Sequence, residues 1–156
     1  MIWMVGTPIL KANDVFSVRV VTVLDGNTLE VRGSDNEIKK IVLAEIDSPE
    51  LGQAFGDKAK KFLEKLLLEK NVWVRITGKD RRGNYLAIVM IGDKVDARVE
   101  LLKEGLAWTA ERNPNPELES YRMKAQEKGR GLWKEDNQTP PWVYRREQSM
   151  LEAKGS

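Results

Sequence analysis

The sequence predicts an α+β fold that is mainly β, a five-stranded barrel of the OB type with three packed helices. Two observations from the pattern lead to this prediction. Five short segments rich in β-branched and apolar residues are separated by turn residues, and a long amphipathic segment follows the third of them. The third observation is size: 156 residues, of which 41% are hydrophobic, fit one domain with its own core. Five short strands with a helix after the third describe a small closed barrel.

The first three strands are predicted at residues 16–24, 28–32 and 37–46. The first is rich in valine, and the third becomes a continuous apolar run towards its end. Asp, Gly, Asn and Ser residues at 25–27 and 33–36 are typical of tight turns. These three strands therefore form a predicted meander.

Hydrophobic periodicity predicts the longest helix at residues 53–69, where apolar residues recur at helical spacing between Lys and Glu. The fourth and fifth strands follow at 72–77 and 85–91, joined by a charged turn. Two more helices are predicted at 96–104 and 117–128. Each is followed by a glycine, which favours helix termination.

The sequence predicts three parts along the chain. Residues 1–13 are an N-terminal extension, residues 14–145 form the barrel domain, and residues 146–156 are a C-terminal tail. We expect the tail to be loosely ordered from about Met150. The pattern shows no internal repeat and no second domain.

The apolar stretch at residues 1–10 contains Gly6 and Pro8 and lacks the basic residues that open a signal peptide. It is also too short to span a membrane. Together with the absence of cysteine, these features favour a cytoplasmic protein without a membrane segment.

Composition excludes several classes of chemistry. The chain contains no Cys and no His, which excludes disulfides, zinc enzymes and Ser-His-Asp hydrolases. Catalysis would depend on carboxylates, Arg, Lys, Tyr or a hard cation held by oxygen. Lys and Arg number 26 and Asp and Glu 24, so the net charge of +2 gives no strong signal for a polyanionic partner.

Several motifs follow one another in a recognisable order. Residues 25–28 read Asp-Gly-Asn-Thr, residues 43–50 read Leu-Ala-Glu-Ile-Asp-Ser-Pro-Glu, and residues 80–87 read Asp-Arg-Arg-Gly-Asn-Tyr-Leu-Ala. They resemble the motifs Asp-Gly-Asp-Thr, Leu-x-Gly-Ile-Asp-x-Pro-Glu and Asp-x-Tyr-Gly-Arg-x-Leu-Ala of the staphylococcal nuclease (thermonuclease) family. The resemblance covers residues 15–145 and implies the same OB-type barrel.

The resemblance implies metal-assisted hydrolysis of phosphodiester bonds in DNA and RNA, with calcium as the usual cation. On the matching positions, Asp47 is a metal carboxylate and Ser48 offers its carbonyl oxygen to the metal. Glu50 matches the glutamate that activates the attacking water. These three residues therefore carry the family's expected cation and water chemistry.

Three other positions depart from the family pattern. Asn27 stands where the second metal carboxylate is expected, and it keeps an amide oxygen but no charge. Val42 and Asn84 stand where the two phosphate-binding arginines are expected. Losing an arginine that meets a transferring phosphoryl group costs roughly 10³–10⁵ in rate. The sequence thus predicts a pseudoenzyme, with calcium bound weakly if at all.

A relocated arginine is the alternative. Arg81 and Arg82 lie in the same turn as Asn84, so Arg82 is a candidate substitute and Glu50 a residual catalytic residue. A weakly active, metal-dependent nuclease would then remain. Against this stands the simpler interpretation that both arginines are solvated turn residues.

The expected binding face of the barrel is flanked by basic side chains. They are Lys39, Lys40, Lys79, Arg81 and Arg82. OB-type barrels commonly bind single-stranded nucleic acid with basic and aromatic residues, so this is the first expected ligand. A protein partner and a purely structural module are the alternatives.

Three further features each have two interpretations. Glu45 either compensates for the lost carboxylate or is a surface side chain. Most of the tryptophans, Trp73, Trp108, Trp133 and Trp142, are expected to pack, although each could stack on a base. Arg145 and Arg146 belong to a closing segment that the resemblance places back on the barrel, and we expect a structural role for them.

Overall fold

The computed structural model describes residues 10–155, and within them five strands close into the predicted barrel. Three short strands accompany the five of the barrel within these residues. In chain order the strands are β1 Val15–Asp25, β2 Thr28–Arg32, β3 Ile38–Leu43, β4 Ile46–Asp47, β5 Asn71–Lys79, β6 Tyr85–Ile91, β7 Val95–Asp96 and β8 Trp108–Thr109. Strands β3, β2, β1, β5 and β6 are neighbours in that order, and a parallel pairing of β3 with β6 closes the barrel. The α+β barrel expected from the sequence is confirmed.

In the described part of the chain, four α helices pack outside the barrel or extend from it. They are α1 Gly56–Leu67, α2 Ala97–Lys103, α3 Pro116–Glu127 and α4 Pro141–Gly155, with a 3-10 helix at Gly131–Lys134 before the last. The first three match the predicted helices, with α1 shorter than expected. None of the helices within residues 10–155 has both the length and the apolar character that crossing a bilayer requires.

The tail differs from the sequence-based expectation, because α4 continues through residues 146–155 instead of becoming loosely ordered at Met150. Its sequence is rich in Glu, Gln, Met, Leu, Ala, Lys and Arg, which have high helix propensity, and it begins with proline at the position where proline is favoured. Residues 147–155 are exposed, so this part of the helix has no packed face.

The predicted third strand is in fact two. Strand β3 ends at Leu43, residues 44 and 45 form a turn, and Glu45 adopts the left-handed conformation with φ of 65°. Strand β4 then leaves the barrel sheet and pairs antiparallel with β8, which places Asp47 opposite Trp108. The change of direction separates the residues after Glu45 from the barrel wall.

The core lies inside the barrel and beneath α1. Its largest fully buried side chains include Leu29, Ile41, Leu43, Leu63 and Leu67. The turn between β1 and β2 lies so close to α1 that a Cβ on Gly26 would be 2.5 Å from the Cβ of Ala59. Glycine at 26 is therefore required by close packing against α1.

Candidate active-site cleft

A cleft of about 550 Å³ opens where the β1–β2 turn, the segment after β3, the β5–β6 turn and the start of α4 meet. It brings together most of the residues that the sequence singled out. Those lining it are Asn27, Lys40, Val42, Glu45, Asp47, Ser48, Glu50, Asp80, Arg81, Arg82, Asn84, Glu111, Trp142 and Arg145, among others. The cleft is thus built from segments distant in sequence.

Ser48 fixes the relative position of two of these segments. Its buried hydroxyl donates a 2.8 Å hydrogen bond to the carbonyl oxygen of Gly26, which joins the β1–β2 turn to the residue after Asp47. Within the turn, the Asn27 N–H donates to Asp25 Oδ1 at 2.8 Å. The side-chain oxygen of Asn27 is buried and has no hydrogen-bond partner among residues 10–155.

Arg145, from α4, bridges the two carboxylates that the sequence singled out. Its Nη1 and Nη2 donate to the two oxygens of Asp47 at 3.0 and 2.6 Å. Nη1 also donates to Glu50 Oε1 at 2.7 Å. Hydrogen bonds to Asp47, and secondarily to Glu50, raise the pKa of Arg145 above its ordinary value. The guanidinium therefore stays charged throughout the accessible pH range.

The arrangement does not fit a tightly bound divalent cation. Calcium takes six or more oxygen ligands and is held more tightly as carboxylates are added. Both oxygens of Asp47 and one oxygen of Glu50 already accept hydrogen bonds from Arg145. Within residues 10–155 no group of three or more acidic residues could hold a metal ion. The side-chain oxygen of Asn27, which has no partner within residues 10–155, could still serve as a ligand to a hard cation.

The two positions that lack the expected arginines have other roles. Val42 lies in register with Thr28 and Leu86 on the barrel wall and presents an apolar side chain to the cleft. Asn84 donates from its side chain to Asp80 Oδ2 at 3.0 Å and from its backbone to Oδ1 at 2.9 Å. Neither position supplies a charged donor to a phosphate.

Asp80 organises the turn that carries Arg81 and Arg82. Partial burial raises its pKa, but hydrogen bonds from Asn84 and from the Arg82 backbone outweigh this and lower the pKa below its ordinary value. Both arginine side chains are exposed and line the cleft. Their position fits a role in contacting a ligand at the rim.

The five predicted nucleic-acid-binding residues do not share one surface. Lys40 joins Arg81 and Arg82 in lining the cleft. Lys39, its neighbour on β3, instead pairs with Asp35 at 3.5 Å and lines a separate apolar cavity. The Lys79 ammonium lies 5.0 Å from the centre of the Tyr85 ring and is not among the cleft residues.

Glu45 belongs to an ion-pair network. Arg98 Nη1 donates to Glu45 Oε2 at 2.7 Å, and Arg98 Nη2 donates to Asp96 Oδ2 at 2.8 Å. Burial lowers the pKa of Arg98, but the hydrogen bonds that it donates to Asp96 and Glu45 outweigh this effect and raise that pKa. Glu45 therefore lines the cleft while pairing with the helix behind it.

Electrostatic attraction to a polyanion is modest in this cleft. Six acidic and four basic side chains line it, and Arg98 and Arg146, which pair with Glu45 and Glu111, bring the two signs into balance. A phosphate would thus be recognised by particular side chains and not by an overall positive field.

Several contacts dock the first turns of α4 beside the cleft. The Trp142 ring packs edge-on against Trp108 with centroids 5.7 Å apart, and Trp108 does the same with Trp133 at 4.6 Å. A Cβ on Gly52 would collide with the hydroxyl of Tyr144. Trp108, Trp133 and Trp142 thus pack together as expected.

The remaining contacts complete this docking. Arg146 Nη2 lies 2.8 Å from Glu111, and Gln53 donates from its side-chain amide to the carbonyl oxygen of Thr139 at 2.9 Å. Trp73, by contrast, lies on β5 with 49% of its surface exposed, so it is not the packing anchor that was expected.

Sequence reasoning missed Arg145 as a site residue. It lies 98 residues from Asp47 and 95 from Glu50 along the chain, so no local pattern links them. The only available signal was that Pro141 and Trp142 resemble the family's closing segment, which packs back on the barrel. That signal predicted that the closing segment packs on the barrel, but it did not predict that Arg145 contacts Asp47 and Glu50.

Comparisons with known proteins identify the family. The family model described as staphylococcal nuclease homologue matches residues 40–135. A protein of Haemophilus influenzae named an uncharacterized endonuclease is 40% identical over 85% of this chain and 74% of its own length. The micrococcal nuclease of Shigella flexneri is 32% identical over 84% of this chain and 81% of its own length. An Escherichia coli O157:H7 protein, also named an uncharacterized endonuclease, is 35% identical over 81% of this chain and 83% of its own length.

Proposed function

The chain belongs to the staphylococcal nuclease homologues, and we propose that it binds the backbone of single-stranded nucleic acid in the cleft with little or no hydrolysis. The proposal has two parts, retention of the ligand class and loss of the reaction. Each part is supported by different residues.

The observation that carries the loss of the reaction is the bridge from Arg145 to Asp47 and Glu50. A carboxylate that binds a cation must offer its lone pairs, and a carboxylate that activates water must be free to accept a proton. The guanidinium of Arg145 competes with the cation for the Asp47 oxygens and with the proton of the attacking water for the Glu50 oxygen. Freeing these oxygens would leave Arg145, a charged and partly buried group, without its partners.

The missing donors support the same conclusion. Removing one preorganised donor to a developing negative charge costs on the order of 10²–10³ in rate. Val42 has no polar group, and the Asn84 amide is hydrogen bonded within its own turn. With both deficits combined, the expected rate is several orders of magnitude below that of a nuclease with two arginines.

Retention of binding is supported by the rim of the cleft. Lys40, Arg81 and Arg82 line it as exposed cations, and half-buried Trp142 adds an aromatic surface. Aromatic rings and a basic groove are the usual means of holding single strands without sequence preference. Because the lining charges balance, the binding should be weak. Because it depends on contacts between cations and phosphates, it should weaken further as the salt concentration rises.

Binding is tested by fluorescence anisotropy of labelled single-stranded DNA and RNA at low salt. We expect saturable binding that loses affinity when Lys40, Arg81 and Arg82 are replaced together by alanine. The slope of log affinity against log salt should fall by about 2, because each phosphate contact contributes roughly 0.7. The matched control replaces three exposed lysines of α1 that do not line the cleft, Lys58, Lys61 and Lys65.

A working nuclease is the second candidate function. It is favoured by the unpartnered buried oxygen of Asn27 in the same cleft as Asp47, and by relatives that are named an endonuclease and a micrococcal nuclease. In this case Arg82 would replace a lost arginine, and Glu50 would activate water. A fluorogenic cleavage assay with calcium, magnesium and manganese distinguishes the two. Metal-dependent cleavage that Glu50→Gln and Arg82→Ala each abolish would establish the second candidate and refute the first.

A further inference from the structure

The guanidinium of Arg145 uses only one part of its hydrogen-bonding capacity. Three of its N–H bonds point to Asp47 and Glu50, two from Nη1 and one from Nη2. The Nε–H and the second Nη2–H, which share the adjacent edge of the planar group, have no partner within residues 10–155. That edge is the side-on fork with which arginine binds a phosphate through two parallel hydrogen bonds.

The Arg145 side chain is only partly covered by its surroundings. The side chain is 42% exposed and lines the cleft, although the tail helix that carries it is docked on both sides of this residue. Trp142 packs against Trp108, the Tyr144 hydroxyl lies at Gly52, and Arg146 pairs with Glu111. The guanidinium is therefore held in place by its first edge before any ligand arrives, which reduces the entropy cost of binding.

We infer that Arg145 is a phosphate-binding residue of this cleft, held on one edge by Asp47 and Glu50 and binding a nucleic-acid phosphate with the other. The guanidinium then joins carboxylates to phosphate, which is the electrostatic role that a divalent cation would otherwise have between groups of like charge. This inference rests on the proposed function for the identity of the ligand, but the arginine's second edge is a property of the site itself.

The inference predicts binding that does not depend on metal. The affinity of the unaltered protein for single-stranded DNA should be the same in calcium and in a chelator. Arg145→Ala should lower that affinity by about tenfold or more, because a charge-assisted contact is lost and two carboxylates are left facing the phosphate. The salt slope should fall by about 0.7. Calcium should restore part of the affinity of this variant, since the freed carboxylates and the Asn27 oxygen can then bind it.

Two variants separate the fork from the charge. Arg145→Lys keeps the charge and loses the fork, so the salt slope should be kept while affinity falls. Arg146→Ala removes the same charge from the neighbouring residue, whose pairing with Glu111 does not involve Asp47 or Glu50. Because Glu111 then faces the cleft unpaired, affinity should fall slightly, and by clearly less than in Arg145→Ala. Equal affinities and salt slopes for Arg145→Ala and Arg146→Ala would overturn the inference.

A second measurement keeps the inference independent of the proposed function. Inorganic phosphate is titrated into the ¹⁵N-labelled protein, and the Nε–H signal of Arg145 is identified by its loss in Arg145→Lys. A saturable shift of that signal supports the inference even if no oligonucleotide binds, in which case the proposed function alone fails. An unchanged signal at saturating phosphate overturns the inference, whether or not oligonucleotides bind elsewhere.

Discussion

Arg98 provides a sharp test of how the cleft is held together. Its side chain is only 7% exposed, and it donates hydrogen bonds to Asp96, to Glu45 and to the carbonyl oxygen of Ala44. Asp96 is 17% exposed and also caps α2, because its carboxylate accepts the Arg98 backbone N–H at 2.9 Å. Replacing Arg98 by Met fills similar space but leaves the Asp96 carboxylate largely buried without a counterion.

The expected cost can be stated. Removing one partner of a buried ion pair destabilises a protein by about 3–5 kcal/mol. For a domain of this size each kcal/mol lowers Tm by roughly 2–4 °C, so Arg98→Met should lower Tm by about 6–20 °C. Urea denaturation followed by tryptophan fluorescence measures the free energy directly.

Glu45→Gln is the control for this prediction. The Glu45 side chain is 48% exposed, so its pair with Arg98 is screened by solvent and should contribute less than about 1 kcal/mol. The reasoning is refuted if Arg98→Met is destabilised by less than about 1 kcal/mol, or if Glu45→Gln is the more damaging change.

Two further predictions concern packing and pH. Gly26→Ala places a methyl group against Ala59 and should cost about 1–3 kcal/mol of unfolding free energy by overpacking. The double variant with Ala59→Gly should recover part of this free energy in the same denaturation assay. If the losses of the two single variants simply add in the double variant, the steric cause is contradicted. Hydrogen bonding from Arg122 lowers the pKa of Glu119 in the folded state, so its contribution to stability is present above the unfolded pKa and is lost as pH falls through the folded value. The acid limb of the Tm–pH profile should therefore be shallower in Glu119→Gln, and an identical limb would show that the pair contributes nothing.

The strands and the first three helices were predictable because their signals are local. Turn residues at 25–27 and the alternation along 28–32 specify β2 without reference to the rest of the chain, and its bounds are those predicted. The break after Leu43 was not predictable in this way. Residues 41–46 form a nearly continuous apolar run in which only Glu45 interrupts, and a single polar residue does not reveal a left-handed conformation.

The cleft was predictable only as far as the family motifs reach. Residues 47, 48 and 50 lie in one motif, so their proximity follows from a short stretch of chain. Arg145 joins them from α4, whose position depends on side-chain packing by Trp142 and Tyr144. Conversely, two residues that are adjacent in sequence can lie on different surfaces. Lys39 and Lys40 were predicted to share a surface, but successive residues of a strand point to opposite faces.

The interactions that shape the cleft are separate from those that would perform hydrolysis. The Ser48 hydroxyl bonds a backbone carbonyl, Arg98 pairs with acidic residues of the wall, and Asp80 organises its turn through Asn84 and backbone groups. None of these contacts requires a second metal carboxylate or a phosphate-binding arginine at positions 27, 42 or 84. A fold held in this way can lose its catalytic donors without losing its cleft, so the family's geometry here is compatible with a changed use of the same surface.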